Sequence, residues 1–148
     1  MFVEEKLRRE GCPAKVTCTA RSLDSVLGPD EDKRAYVEAK AEDIAKHIEC
    51  LVETAPDHPH KVYTGLRLSV LPRITYLQRT AQATPEAYKA IENAMTKTMI
   101  PYLLQWEMIT EAQRLMVGLP VRDGGLALVD VRKSDLPQHR ASVCGLNL

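Results

Sequence analysis

Two long segments repeat apolar residues every three or four positions, and this pattern restricts the chain to packed amphipathic helices. The first repeat covers residues 37–55 and stops at Pro56; the second covers residues 88–106. The chain has only one Trp and one Phe, so Leu, Ile, Val, Met and Ala must fill the core, which favours helices over an aromatic-rich sandwich. Asp30 or Asp32 is suited to cap the first helix, because a carboxylate accepts hydrogen bonds from its free amides.

Prolines set the predicted boundaries of the middle helices. A second helix is predicted over residues 57–71 and a third over residues 72–80, because Pro72 lacks an amide and its ring clashes with the preceding turn. A fourth helix begins at Thr84-Pro85-Glu86 and is kinked, without being ended, at Pro101.

The remaining carboxyl-terminal elements are short. A helix is predicted over residues 110–117, followed by a tight turn or small β-hairpin around Asp123-Gly124-Gly125. Ser134-Asp135-Leu136 is expected to cap a last short helix next to Pro137. The predicted fold class is therefore mainly α, a multi-helix bundle with a small β-hairpin or turn near its carboxyl end.

The first thirty residues lack this helical periodicity. They are predicted to hold a charged helix over residues 3–10, a strand over residues 15–19 and a turn at Gly28-Pro29. The expected organisation is an irregular segment, 1–30, and a helical domain, 31–148.

Composition narrows the class of protein. The 148 residues carry no formal net charge, with 45% hydrophobic and 27% charged residues, which is typical of a globular domain. There is no basic excess of the kind that strong nucleic-acid binders show. We expect no membrane association and an intracellular location, because the charged first residues lack the apolar core of a signal peptide and no apolar run reaches about 20 residues.

Motifs of metal, cofactor and catalytic sites are not present in the sequence. Cys12, Cys18, His58 and His60 do not form the close ligand pairs of a structural zinc site. Asp123-Gly124-Gly125 is part of neither a Walker loop nor a dinucleotide fingerprint. We therefore predict no metal, no cofactor and no catalytic residue.

A local excess of cations stands out in the middle of the chain. From Lys61 through Lys89 the sequence has five Lys or Arg and one carboxylate, Glu86. The candidates for nucleic-acid contact are Lys61, Arg67, Arg73 and Arg79. They either meet phosphates or coat a helix surface.

Four segments in order resemble the part of reverse transcriptases of LINE-like retroelements that lies just downstream of the catalytic palm. They are Arg21-Ser22-Leu23-Asp24-Ser25-Val26-Leu27-Gly28, the helix from Tyr36-Val37 through Lys40, Arg73-Ile74-Thr75-Tyr76-Leu77-Gln78-Arg79-Thr80, and Leu119-Pro120-Val121-Arg122-Asp123-Gly124-Gly125-Leu126. Three positions depart from the family pattern: Asp24 and Ala127 stand where glycine is usual, and Ile74 where an aromatic residue is usual.

The resemblance implies a thumb-like helical domain that braces an RNA or DNA template–primer duplex when it is joined to a palm. It also implies that residues 1–30 are the remnant of a palm edge. Polymerase activity in this family depends on paired palm aspartates that hold two metal ions, and this sequence contains no adjacent aspartates.

Two hypotheses follow. The first is a palm-less, catalytically inert fragment that binds nucleic acid weakly, without sequence preference and in a salt-sensitive way. Its binding should fall when Arg73 and Arg79 become Ala. The alternative is a helical protein–protein interaction module, in which the apolar faces of 37–55 and 88–106 bury against a partner.

Overall fold

Helices make up most of the chain that the computed structural model describes, which is residues 19–22, 25–81 and 83–144. The mainly α fold class is confirmed. The elements are β1 (Ala20–Ser22), β2 (Ser25–Leu27), α1 (Asp30–Thr54), α2 (59–80), α3 (85–104), α4 (Glu111–Gly118) and α5 (Val131–Cys144). None of the described helices is long and apolar enough to cross a membrane.

A two-stranded hairpin lies at the amino-terminal end of the described residues. Strands β1 and β2 pair antiparallel, with Arg21 opposite Val26. The sequence pattern did not predict a hairpin there. Its predicted helix 3–10 and strand 15–19 lie outside the described residues, Thr19 excepted.

Helix α1 follows the predicted apolar repeat, but its predicted cap is wrong. Pro29 occupies the capping position, and no side chain accepts a hydrogen bond from the first-turn amides. Asp30 and Asp32 lie inside the first turn instead, where their negative charge faces the positive end of the helix dipole. Helix α1 ends at Thr54, as Pro56 requires.

Helix α2 corrects the predicted break at Pro72. Residues 59–80 form one helix whose middle turn, Leu66–Val70, is a π-helical turn. The Leu71 amide donates to Leu66 O, five residues back. A proline in a regular α-helix clashes with the carbonyl four residues earlier, and the wider turn makes room for its ring.

Helix α3 uses the same arrangement around Pro101. It begins with the 3-10 turn Pro85–Tyr88, widens into a π turn at Met95–Met99 and continues to Leu104. The Ile100 amide donates to Met95 O. Each proline therefore follows its π turn by two residues, and the predicted continuation through Pro101 is confirmed.

The core forms where α1 and α3 face each other, with α2 beside them and α5 across α2 and the start of α3. The apolar faces that the interaction-module hypothesis assigned to a partner pack here, against each other. The fully buried members of these two faces are Val37, Ala41, Ile48, Tyr88, Ile91, Met95, Met99 and Ile100. These faces are therefore not available to a partner in the folded chain.

A buried ion pair attaches α4 to this core. Helix α4 starts with the capping box of Thr110 and Gln113 and buries one side chain, Val117. Arg114 donates through Nε and Nη2 to the two carboxylate oxygens of Glu92 on α3, at 2.6 and 3.0 Å. Arg114 Nη1 also donates to Leu128 O, so the pair joins α3, α4 and the segment before α5.

The segment after α4 is a turn, one of the two predicted alternatives. A 3-10 turn, Val121–Asp123, leads into Gly124 at φ 85°, and none of its described residues forms a strand. The chain then returns along its own path, because the Ala127 amide donates to Leu119 O at 2.8 Å. A Cβ on Gly125 would lie 2.1 Å from that same oxygen.

Ala127 adopts φ 55°, a left-handed conformation that glycine tolerates better than alanine. We expect Ala127→Gly to raise the free energy of unfolding by about 0.5–1 kcal/mol, because relief of the strain exceeds the entropy that glycine adds to the unfolded chain. Urea unfolding followed by Trp106 fluorescence measures the change. The matched control is Ala39→Gly on the exposed side of α1, which should lower stability by about 1 kcal/mol. A loss in both variants would contradict this account.

Helix α5 starts earlier than predicted. It runs from Val131 to Cys144 with Pro137 inside it, and Asp130 rather than Ser134 or Asp135 caps it. The Asp130 carboxylate accepts the Arg132 amide at 3.0 Å. The buried Gln78 side chain of α2 donates to Val131 O at 2.8 Å, which holds this end of α5 against the bundle.

Candidate nucleic-acid interface

Helices α1 and α2 lie side by side and leave a groove of about 250 Å³ between them. The buried side chains of Ile44 and Leu77 form its floor. Tyr36 and Lys40 line one wall, because a spacing of four places them on one side of α1. Arg73 and Tyr76, three residues apart on α2, line the other wall together with Pro72.

The groove combines two cations with two tyrosine rings. Lys40 Nζ lies 5.7 Å from the centre of the Tyr36 ring. Arg73 Nη1 lies 3.5 Å from His47 Nδ1, and Tyr76 is 44% exposed. Cations bind phosphates and exposed aromatic rings stack on bases, so this combination suits the backbone and bases of a single strand.

The four predicted contact residues all lie exposed on α2. Residues 59–80 contain no carboxylate, and none of the four cations forms an ion pair within the described residues. However, they are six residues apart. At about 100° per residue, neighbours in this series point about 120° apart, so the four cannot share one face.

Their surroundings show how far they diverge. Only Arg73 lies in the groove. Arg79 points away from the groove, toward α5, where its Nε lies 3.4 Å from Gln138 Oε1. Arg67 lies 6.0 Å from the ring of Tyr63, and Lys61 lies in the first turn of the helix.

Three polar residues of this groove were not among the predicted contact residues: Tyr36, Lys40 and Tyr76. All three lie in segments that carry the family resemblance, and their spacings of three and four did place each pair on a helix face. What the spacing could not supply was that these two faces adjoin. The structure brings the Tyr36–Lys40 and Arg73–Tyr76 segments together.

A second polar cluster is buried between α3 and α5. Tyr88 Oη, Asp135 Oδ1 and His139 Nδ1 are buried without a hydrogen-bond partner among the described residues. Burial raises the pKa of Asp135. The Tyr88 hydroxyl and the His139 ring lower it, but burial is the larger effect. Burial and then the charge of Asp135 raise the pKa of Tyr88. None of the three lines the groove, so we assign them to the packing of α5.

The raised pKa of Asp135 makes stability depend on pH. The folded chain holds this proton more tightly than the unfolded chain, so the stability it contributes is full below about pH 4 and is lost as the pH rises through the raised value. We expect Asp135→Asn to be more stable than the wild type at pH 7 by about 1 kcal/mol. The difference should vanish as the pH falls to about 4, as measured by urea unfolding across this range.

Asp130 provides the control with the opposite sign. Burial raises its pKa, but the hydrogen bonds and charge of Arg132 outweigh burial and lower it overall. Its stabilisation is present above the ordinary carboxyl pKa and is lost as the pH falls through the lowered value. Asp130→Asn should therefore lose stability at pH 7. The same sign of change in both variants would refute the assignment.

Metal ligands do not converge in the part of the chain that the structure describes. Among its residues no group of three His, Cys, Asp or Glu side chains is placed to hold an ion. His58 and His60 are exposed at the start of α2, and Cys50 and Cys144 are exposed thiols. Cys12 and Cys18 lie outside the described residues.

Comparison with known proteins finds no matching family model, no matching curated protein and no matching solved structure. The relation to reverse transcriptases of LINE-like retroelements stays a prediction from the sequence segments quoted above.

Proposed function

We propose that this chain contacts nucleic acid through the groove between α1 and α2, weakly and without sequence preference. In this proposal it is a thumb-like part of a LINE-like reverse transcriptase, catalytically inert by itself. Joined to a palm, it would hold the single-stranded template next to a template–primer duplex. The observation that carries the proposal is the meeting of Tyr36, Lys40, Arg73 and Tyr76 beside a helix without carboxylates.

The groove defines the expected mode of binding. Lys40 and Arg73 would neutralise about two phosphates, while Tyr36 and Tyr76 would stack on bases or sugars. Two such contacts on a single strand give a slope of about −1.4 for the logarithm of the binding constant against the logarithm of salt concentration. The zero net charge of the chain adds no general attraction, which is why the binding is weak.

Fluorescence anisotropy with a labelled oligouridine tests this function. Arg73→Ala should weaken binding several-fold and make the salt slope less negative by about 0.7, because one phosphate contact is lost. The matched control is Arg79→Ala, on the same helix but facing α5, which should change binding much less. Equal losses in the two variants would indicate diffuse attraction to α2. Binding that ignores salt, or no binding, would contradict the proposal.

A helical protein–protein interaction module is the second candidate. The apolar faces of residues 37–55 and 88–106, which were first assigned to a partner, pack against each other. Another apolar surface is exposed in the carboxyl-terminal part of the chain. Met108, Leu115, Leu119 and Val129 line a cleft of about 620 Å³ between α3, α4 and the start of α5. Their exposed fractions range from 44% to 83%, which favours a contact surface.

A further inference from the structure

We infer that the cleft between α3, α4 and the start of α5 is the contact surface of a symmetric dimer of this chain. The inference deepens the interaction-module candidate by naming its partner. It is independent of the groove between α1 and α2, which shares no lining residue with the cleft.

The apolar part of the surface has the shape that two copies need. Met108 is 83% exposed on the loop that precedes α4, and it lines the cleft together with Leu115, Leu119 and Val129. The same patch therefore contains a highly exposed methionine and an apolar cleft. Around a two-fold axis, Met108 of each copy can enter the cleft of the other, as in an isologous interface.

Eight charged residues line the cleft, and two ion pairs, Glu92–Arg114 and Asp130–Arg132, account for four of them. The other four form no ion pair among the described residues: Lys97 on α3, Glu107, Glu111 and Lys133. Glu107 and Glu111 lie where α4 begins. At its other end Gly118 packs against Val129, and Lys133 follows after the Asp130–Arg132 ion pair. The two ends are about 11 Å apart along α4, at 1.5 Å per residue.

This polarity is self-complementary. A two-fold axis across α4 places Glu107 and Glu111 of one copy against Lys133 of the other, at both ends of the interface. A translated copy would gain no such reciprocal pairing. Glu107, Glu111 and Lys133 form no ion pair within the described residues, so their charges are free to pair across the interface. The zero net charge of the chain means that two copies do not repel each other as a whole.

Sedimentation equilibrium over a range of concentrations tests the dimer. We expect the wild type to approach twice its 16.6 kDa mass as the concentration rises. Leu115→Glu, which places a carboxylate in the middle of the exposed patch, should remain monomeric. The inference would be overturned if the wild type stayed monomeric over a 100-fold range of concentration. It would also be overturned if Leu115→Glu dimerised as well as the wild type.

A charge exchange tests the symmetry. Lys133→Glu alone and Glu107→Lys alone should each weaken the dimer about ten-fold, since each places like charges against each other twice. The double variant should recover dimerisation, because both ends are reversed together. Failure of the double variant to recover, with its circular dichroism unchanged, would overturn the two-fold arrangement. The oligouridine affinity of all these variants should stay at the wild-type value, so the outcome does not depend on the groove.

Discussion

Substitution of Glu92 by Ala should lower the free energy of unfolding by about 3–5 kcal/mol, the largest loss that we expect from a single polar side chain here. Glu92 and Arg114 side chains are only 5% and 11% exposed. Without the carboxylate, the Arg114 guanidinium stays buried, and Leu128 O is its one remaining hydrogen-bond partner among the described residues. Helix α4, which buries only Val117, would lose its main attachment.

Urea unfolding of Glu92→Ala, Arg114→Ala and the double variant measures this effect. Because each single variant leaves one charge buried alone, the double variant should lose less than the sum of the two. The matched control is Glu38→Ala in the exposed Arg34–Glu38 pair of α1, with side chains 55% and 45% exposed, where little change is expected. Equal small losses in both pairs would show that Glu92–Arg114 does not hold α4.

Gly125→Ala should cost about 3 kcal/mol, because the added methyl group would lie 2.1 Å from Leu119 O and 2.7 Å from Leu119 Cβ. Leu119 O is a backbone atom that already accepts the Ala127 amide, so it cannot move aside without breaking that bond. The turn between α4 and α5 would have to open.

Gly124→Ala separates crowding from backbone strain. Gly124 has φ 85°, but nothing lies within 4 Å of an added methyl group there. Only the left-handed conformation is penalised, by about 1 kcal/mol. In thermal unfolding, Gly125→Ala should lower the melting temperature much more than Gly124→Ala does. A larger loss in Gly124→Ala would mean that the close contact between residue 125 and the Leu119 backbone does not restrict which side chain fits at this turn.

The helices were predictable where local spacing decides them. The repeat over residues 37–55 fixed both the helix and the face it buries, and the helix predicted over residues 110–117 matches α4 to within one residue at each end. The break predicted at Pro72 was wrong because a π turn before the proline accommodates its ring and its missing amide. No residue pattern in the sequence indicates that π turn. Helix α5 was misplaced because Ser134 is a good cap, whereas the Asp130 carboxylate and the bond from Gln78 hold its start.

The groove was only partly predictable for a related reason. Composition and order along the chain identified Arg73 as a cation in a segment poor in carboxylates. They could not show that Tyr36 and Lys40 come to lie across from it, because that depends on the packing of α1 against α2. Arg79 looked equivalent to Arg73 in the sequence, yet it faces another helix.

The most direct test of the proposed function is photo-crosslinking of the chain to a single-stranded oligonucleotide that carries 5-bromouracil, with the attached peptides identified by mass spectrometry. The chain has five tyrosines, which report on the groove and on the remaining surface in one experiment. The account predicts attachment at Tyr36 and Tyr76, and none at Tyr63 or Tyr102, whose hydroxyls bond to backbone carbonyls elsewhere, or at the buried Tyr88. Attachment at Tyr63 or Tyr102 with Tyr36 and Tyr76 untouched would contradict it.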